Sequence, residues 1–421
     1  MSTLTKAMRK IQVVALVTAF LMSACDTLPS KESKSAAATP AICAPCPSCA
    51  AATSAPVCPA PTAPTSAPPF SRTLQAANWS DLPGWQEDDL SALWPAFLES
   101  CRGMNSKPHG AVWKRVCDLA KSDNGTARNN PRAFFESHLK PHAILSGDGN
   151  AQGLITGYYE PLLRGNRIAS KPYNQPVLGV PDDLLTIDLS SVFPELKDKR
   201  VRGRLEGNKV VPYWSRAEIT ARTDKLPSRP LLFVDDAVEL FFLQVQGSGR
   251  VKLPDGNMVR LNYADQNGHP YQSIGRTLVD RGELKLEEAS MQGIQAWARA
   301  NPTRLDDLLN ANPSYVFFRE VNNNKDGPIG ALGVPLTAER SIAVDPRSIP
   351  LGAPVFLSST RPNSNQPLNR LVLAQDTGGA IKGAVRADFF WGFGKEAGEQ
   401  AGRMKQTGRL WILWPTGGAL K

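Results

Sequence analysis

From Pro313 onward the chain is a series of short apolar runs cut by Gly, Pro and Asn. They read SYVFFRE, SIAVDPRSIPLGAPVFLS, NRLVLAQD, GAVRADFFWG and RLWILWP. Runs this short, rich in β-branched and aromatic residues, are strand material rather than helix material. So many strands within residues 313–421 would leave unpaired edges unless the sheet closes on itself. That predicts a small closed β-barrel.

The upstream texture is different. DDLSALWPAFLESC places Leu90, Leu93, Trp94, Phe97, Leu98 and Cys101 at helical spacing. AVWKRVCDLA repeats the pattern, and NNPRAFFESHL opens with Asn130 as a cap and Pro131 at the first helical position. From Gly153 the runs LITGYYEPLL, PLLFVDDAVELFFLQVQGSG and VRLNYAD read as β. A helical interval follows, with SIGRTLVDRG stopped at Gly282 and SMQGIQAWARANP stopped before Pro302. The globular part is longer than a single core usually organises, so a second domain is expected.

The N-terminus predicts export. Lys6, Arg9 and Lys10 precede the apolar run Ile11 to Met22, and LMSAC places small residues before Cys25. This is a lipoprotein signal peptide over residues 1–24, with Cys25 as the lipidated first residue of the mature chain. The acyl chains would hold it to a membrane facing the periplasm. The favoured membrane is the outer one, with the inner one left open by Asp26. Residues 25–75 are Ala, Pro, Ser and Thr rich and read as a tether. Cys43, Cys46, Cys49 and Cys58 lie in it, and an oxidising compartment without a nearby histidine favours disulfides over zinc. The other two of the seven cysteines, Cys101 and Cys117, predict a bridge tying the first two helices. The formal charge of +9 includes the leader's cations. That is compatible with an acidic polymer, and no basic strip interleaved with aromatics suggests nucleic acid.

The candidate chemistry lies in carboxylates. Asp376-Thr377-Gly378 follows an apolar run as in an aspartic protease, but such enzymes need two of these loops and the chain has one. His138 and His142 are separated by Pro141, which denies them a shared helical face. No nucleophile elbow, phosphate-binding loop or dinucleotide motif is present, so no cofactor or metal is expected. Asp376 should sit at a barrel mouth, because it ends a strand. Asp388 adjoins Phe389-Phe390-Trp391, whose bulk would desolvate its carboxyl and raise its pKa, as a general acid for glycosidic cleavage requires.

TGYYEP, LFFLQVQGSGR, YADQNGHPYQSIGR, NPSYVFF, GALGVPLTAERSIAVD, IPLGAPVFL and AQDTGGAIKGAVRADFFWGFG strongly resemble the membrane-bound lytic murein transglycosylase A family, in its order, from Trp85 to Pro415. The resemblance implies a mainly β enzyme with a double-psi β-barrel catalytic domain. The barrel would combine an N-terminal helical part, residues 76–160, with residues 313–421, around an inserted β-rich domain at 161–312. It implies non-hydrolytic cleavage of peptidoglycan between N-acetylmuramic acid and N-acetylglucosamine, leaving 1,6-anhydromuramoyl ends. Asp388 would be the acid and base, and Asp376 a stabilising or orienting group. Tyr158, Tyr159, Gln246, Ser248 and Lys382 are candidates for the glycan groove, with Glu160 as a third, lower-ranked acid. Expected partners are glycan strands, the membrane through the lipid anchor, and cell-wall synthesis proteins. A catalytically silent glycan-binding lipoprotein is the alternative.

Overall fold

The computed structural model describes residues 74–122, 125–196, 199, 201–322 and 327–418. The leader, Cys25, the tether up to residue 73 and its four cysteines lie outside the described residues, whereas Leu74 and Gln75, expected in the tether, form strand Leu74–Ala76 against Leu139–Ile144. Six strands close into a barrel: β1 (Gly153–Glu160), β2 (Ser341–Val344), β3 (Pro354–Thr360), β4 (Pro367–Asp376), β5 (Arg386–Phe393) and β6 (Lys405–Pro415). Around the barrel the order is β1, β6, β3, β4, β2, β5 and back to β1. The β4–β2 and β5–β1 pairs are parallel and the other four antiparallel. The closure inferred from the short runs is present, and it takes β1 from far upstream to complete it. β6 is long enough to serve two neighbours, pairing β1 with its first half and strand Leu139–Ile144 with its second.

Three helices pack on the barrel: α1 (Trp94–Met104), α2 (Lys114–Ser122) and α3 (Pro131–His138). Asn130 caps α3, its side chain accepting from the Ala133 amide at 3.2 Å, with Pro131 next. Phe97, Phe134 and Phe135 meet in mutual edge contacts and join the barrel core around Val355, Phe356 and Trp411. Cys101 and Cys117 form a disulfide, with Cα atoms 5.4 Å apart, linking α1 to α2.

Between β1 and β2 the chain builds a second lobe with cores of its own. One core lines a six-stranded sheet through Leu163, Leu232, Val251 and Phe318. Another gathers Phe241, Leu278, Trp297 and Leu308 from helices. Two expectations are corrected here. LFFLQVQ is not a strand but part of α4 (Ala237–Gln246). Asp236 caps it, accepting from the amides of Val238 and Glu239, and Gly247 ends it at φ 79°. These caps outweigh the β preference of the aromatics. SYVFFRE, assigned to the barrel, supplies strand Val316–Glu320, which instead pairs with Met258–Gln266 of the second lobe. Pro313 therefore marks a turn within that lobe, not its boundary. Two further helices matter below, α5 (Met291–Ala300) and α6 (Gly394–Arg403). No described helix is long and apolar enough to cross a membrane.

Candidate active site

The two aspartates are brought together by β2. Its Ala343 lies opposite Asp376 on β4 and opposite Asp388 on β5. Two strand spacings of about 4.8 Å therefore separate their backbones. The placement of Asp376 depends on a bulge. Ile342 pairs with Ala374 and Ala343 with Asp376, which leaves Gln375 without a partner on β2. The Gln375 side chain turns inward, accepting from Ser341 Oγ at 2.6 Å and donating to Ser100 Oγ at 2.9 Å. The helical layer thus holds the bulge that aims Asp376.

Both carboxyls are half-buried, ringed by protein but reached by solvent. Asp376 is fully engaged: Oδ1 accepts from the Ala331 amide at 2.9 Å and Oδ2 from the Tyr158 hydroxyl at 3.2 Å. Burial pushes Asp376 up to about 6 against these donors, with the nearby Asp388 charge adding to the rise. Burial also raises Asp388, while Thr156 and Arg386 restrain it. Thr156 Oγ1 donates to Asp388 Oδ1 at 2.6 Å and accepts from Arg386 Nη2 at 2.8 Å. Among the described residues, Oδ2 of Asp388 has no hydrogen-bond partner. Of the three aromatics after Asp388, only Phe390 lies on its side, in a small cluster with Tyr158, Ala343, Leu336 and Ile381. Phe389 and Trp391 face the barrel core, as strand alternation demands.

The loop joining β4 to β5 is pinned in two places. Ile381 is buried in that same cluster, and the Gly383 amide donates to Asp345 Oδ2 at 2.9 Å. Burial works to raise Asp345, but Arg347 and the amides of Gly383 and Arg347 hold it at about 2. Lys382, between the two anchors, is exposed.

The other candidate residues do not converge on the aspartates. Tyr159 points to the opposite face of β1, its ring against Gly398 of α6 and its hydroxyl on Met291 Sδ at 3.5 Å. Gln246 accepts from the Tyr159 amide at 3.0 Å. Glu160 is 1 % exposed and accepts from Arg250 Nε at 2.8 Å, so it is an ion-pair partner rather than a third acid. Ser248 is buried opposite Asn262. Tyr159 lies on the face of β1 away from the aspartates, as strand alternation demands, Gln246 lines the smaller of the two cavities on that side, and Glu160 and Ser248 are buried. Cavities of about 210 and 430 Å³ lie on the Tyr159 side, sharing Tyr159, Phe242 and Met291. The aspartates line neither. Thr156 and Arg386 were missed, although each lies two residues from a recognised site residue on the same strand face.

Residues 154–319 match the family described as the MltA specific insert domain, and residues 340–414 match the 3D domain. The membrane-bound lytic murein transglycosylase A of Escherichia coli is 35 % identical over 281 residues, which span 64 % of this chain and 67 % of the relative. The crystal structure of MltA from Neisseria gonorrhoeae superposes with a TM-score of 0.71 at 40 % identity, covering 82 % of this chain and 93 % of that one. The chain belongs to the membrane-bound lytic murein transglycosylase A family. It is accordingly an enzyme of the lytic murein transglycosylases, lyases that cleave peptidoglycan. An Escherichia coli MltA structure with bound chitohexaose is also similar, at 26 % identity and a TM-score of 0.60, over 78 % of this chain and 90 % of that one.

Proposed function

We propose that this enzyme breaks the β-1,4 bond between N-acetylmuramic acid and N-acetylglucosamine without water. Asp388 gives its proton to the glycosidic oxygen as that oxygen leaves the muramoyl C1. The resulting carboxylate takes the proton of the muramoyl 6-hydroxyl, whose oxygen closes on C1 to form the 1,6-anhydro ring. A hydroxyl already tethered to the reacting sugar replaces a protein nucleophile.

The observation that carries this reading is the unequal occupancy of the two carboxyls. Asp376 has both oxygens engaged, whereas Asp388 has one oxygen held by Thr156 and the other unpartnered among the described residues. Asp376 then orients the sugar or stabilises positive charge at C1. A second reading exchanges the roles, favoured by the rise of Asp376 to about 6, which leaves it partly protonated near neutrality. The two titrate as neighbours, so substitution has to separate them. Asp388→Asn should lower anhydromuropeptide release from purified sacculi toward the 10⁴ end of the range for general acid catalysis, about 10²–10⁴-fold. Asp376→Asn should leave measurable release. The converse result by mass spectrometry would move the proton donor to Asp376.

Glycan strands would lie across the open face between barrel and second lobe, with Tyr158 and Lys382 in contact. The bound chitohexaose of the Escherichia coli relative supports a β-1,4-linked amino-sugar polymer as ligand. Two parallel pairs within six strands fit a double-psi barrel interrupted by an inserted domain. Lipidation at Cys25 and residence on the periplasmic face of the outer membrane complete the proposal.

A further inference from the structure

We propose that Arg386 is a positioning residue that acts through Thr156 to fix which oxygen of Asp388 carries the catalytic proton. The inference rests on Asp388 being the acid. Arg386 and Asp388 are two residues apart on β5, and Thr156 of β1 lies directly opposite Asp388. The guanidinium donates from Nη2 to Thr156 Oγ1 at 2.8 Å and from Nη1 to the carbonyl oxygens of Ala387 and Leu154. It forms no ion pair with Asp388: its hydrogen-bonded link to the acid runs through a hydroxyl, while its charge also bears on the carboxyl across space.

That interposition matters chemically. A guanidinium paired directly with Asp388 would keep the carboxyl ionised and end its use as an acid. A threonine hydroxyl has one hydrogen. Once its oxygen accepts from a cation it becomes a better donor and a poorer acceptor, so its hydrogen points at Asp388 Oδ1, as the 2.6 Å contact requires. Oδ1 is thereby an acceptor in both protonation states, and the proton sits on Oδ2. The same oxygen gives the proton to the leaving sugar and receives the next one from the 6-hydroxyl. Without Arg386, the Thr156 hydroxyl can turn and accept from a proton on Oδ1, facing away from substrate. The other titratable groups beside Asp388 are Asp376, across β2, and Tyr158, on β1. Both are acidic, so Arg386 is the cation acting on Asp388 in this cluster.

The test is a double-mutant cycle on the full chain, combining Arg386→Met with Thr156→Val. Two readouts apply: the pH profile of anhydromuropeptide release, and titration of Asp388 by carboxyl-carbon NMR. Thr156→Val is expected to lower kcat on the order of tenfold, the loss of one hydrogen bond to a charged group, with KM little changed and the Asp388 titration moved up. Thr156→Ser should restore both. Arg386→Met should move both readouts in the same direction, and have a clearly smaller effect once Thr156 is Val, when only its through-space charge remains to be lost. If Arg386→Met shifted the titration equally in the Thr156→Val background, the guanidinium would act across space alone and the relay would be wrong. Failure of Thr156→Ser to rescue, in protein that melts like wild type, would overturn it too. Wild-type release by Asp388→Asn would overturn the acid assignment instead, and the NMR cycle still reads the relay on its own.

Discussion

Asp345 offers a quantitative test of how the loop between the two acids is held. It follows β2, is 1 % exposed, and accepts from the Gly383 amide in the loop between the two acids. Its carboxyl is held down from 3.8 to about 2. At about 1.4 kcal/mol per tenfold change in proton affinity, that depression is worth roughly 2 kcal/mol of stability. A depressed carboxylate stabilises the fold above its unfolded pKa, near 4, and loses that contribution as pH falls toward its folded value. Asp345→Asn should therefore lose roughly 2 kcal/mol in urea denaturation at pH 7, and the gap to wild type should close between pH 4 and pH 2. An unchanged gap at pH 2 would assign the loss to packing. No gap at pH 7 would mean that the Gly383 and Arg347 contacts do not stabilise the fold.

Three further perturbations probe the scaffold. Replacing both Cys101 and Cys117 by Ala should cost about 3 kcal/mol for a bridge of this span, read as a lowered denaturation midpoint. Glu160→Gln removes one partner of a buried ion pair and should cost roughly 3–5 kcal/mol in the same assay; a neutral result would show that Arg250 is satisfied without it. Gly398→Val places a Cβ 2.8 Å from the Tyr159 ring and should cost about 1–3 kcal/mol by overpacking, measured by thermal melting.

Local signals carried the first helices and most barrel strands. Asn130 and Pro131 announce α3 because capping is chemistry within one turn; the desolvation of Asp388 expected from all three following aromatics comes down to Phe390, because alternation in β5 turns Phe389 and Trp391 away. What was not legible is non-local. Nothing in LITGYYEP states that β1 will pair with both β5 and β6, so the site partners Thr156 and Asp388 come together only in the fold. The misreading of α4 has a similar cause. Phe241 and Phe242 favour strands in isolation, yet the helical core of Leu278, Trp297 and Leu308 takes up its apolar face. Tyr159 alternates away from Tyr158 along β1 and so leaves the aspartates' face, whereas Glu160, in step with Tyr158, is engaged by Arg250, a partner that lies far off in sequence. Thr156 and Arg386 were within reach of the same alternation rule applied outward from Tyr158 and Asp388.

The use of β1 to close the barrel sets a timetable for the enzyme. A chain made from its N-terminus presents Gly153–Glu160 long before residues 386–415 exist, and both backbone edges of that strand must wait for them. Contacts between segments so distant in sequence form late, after most loop-closure entropy has been lost. Asp388 arrives with the same late strand that seals the barrel, and Lys405–Gly408 completes the other edge. A wall-cutting activity is therefore withheld from every unfinished copy of the molecule. The second lobe, whose strands lie between Leu162 and Glu320, can assemble in the meantime and hold the waiting ends near each other.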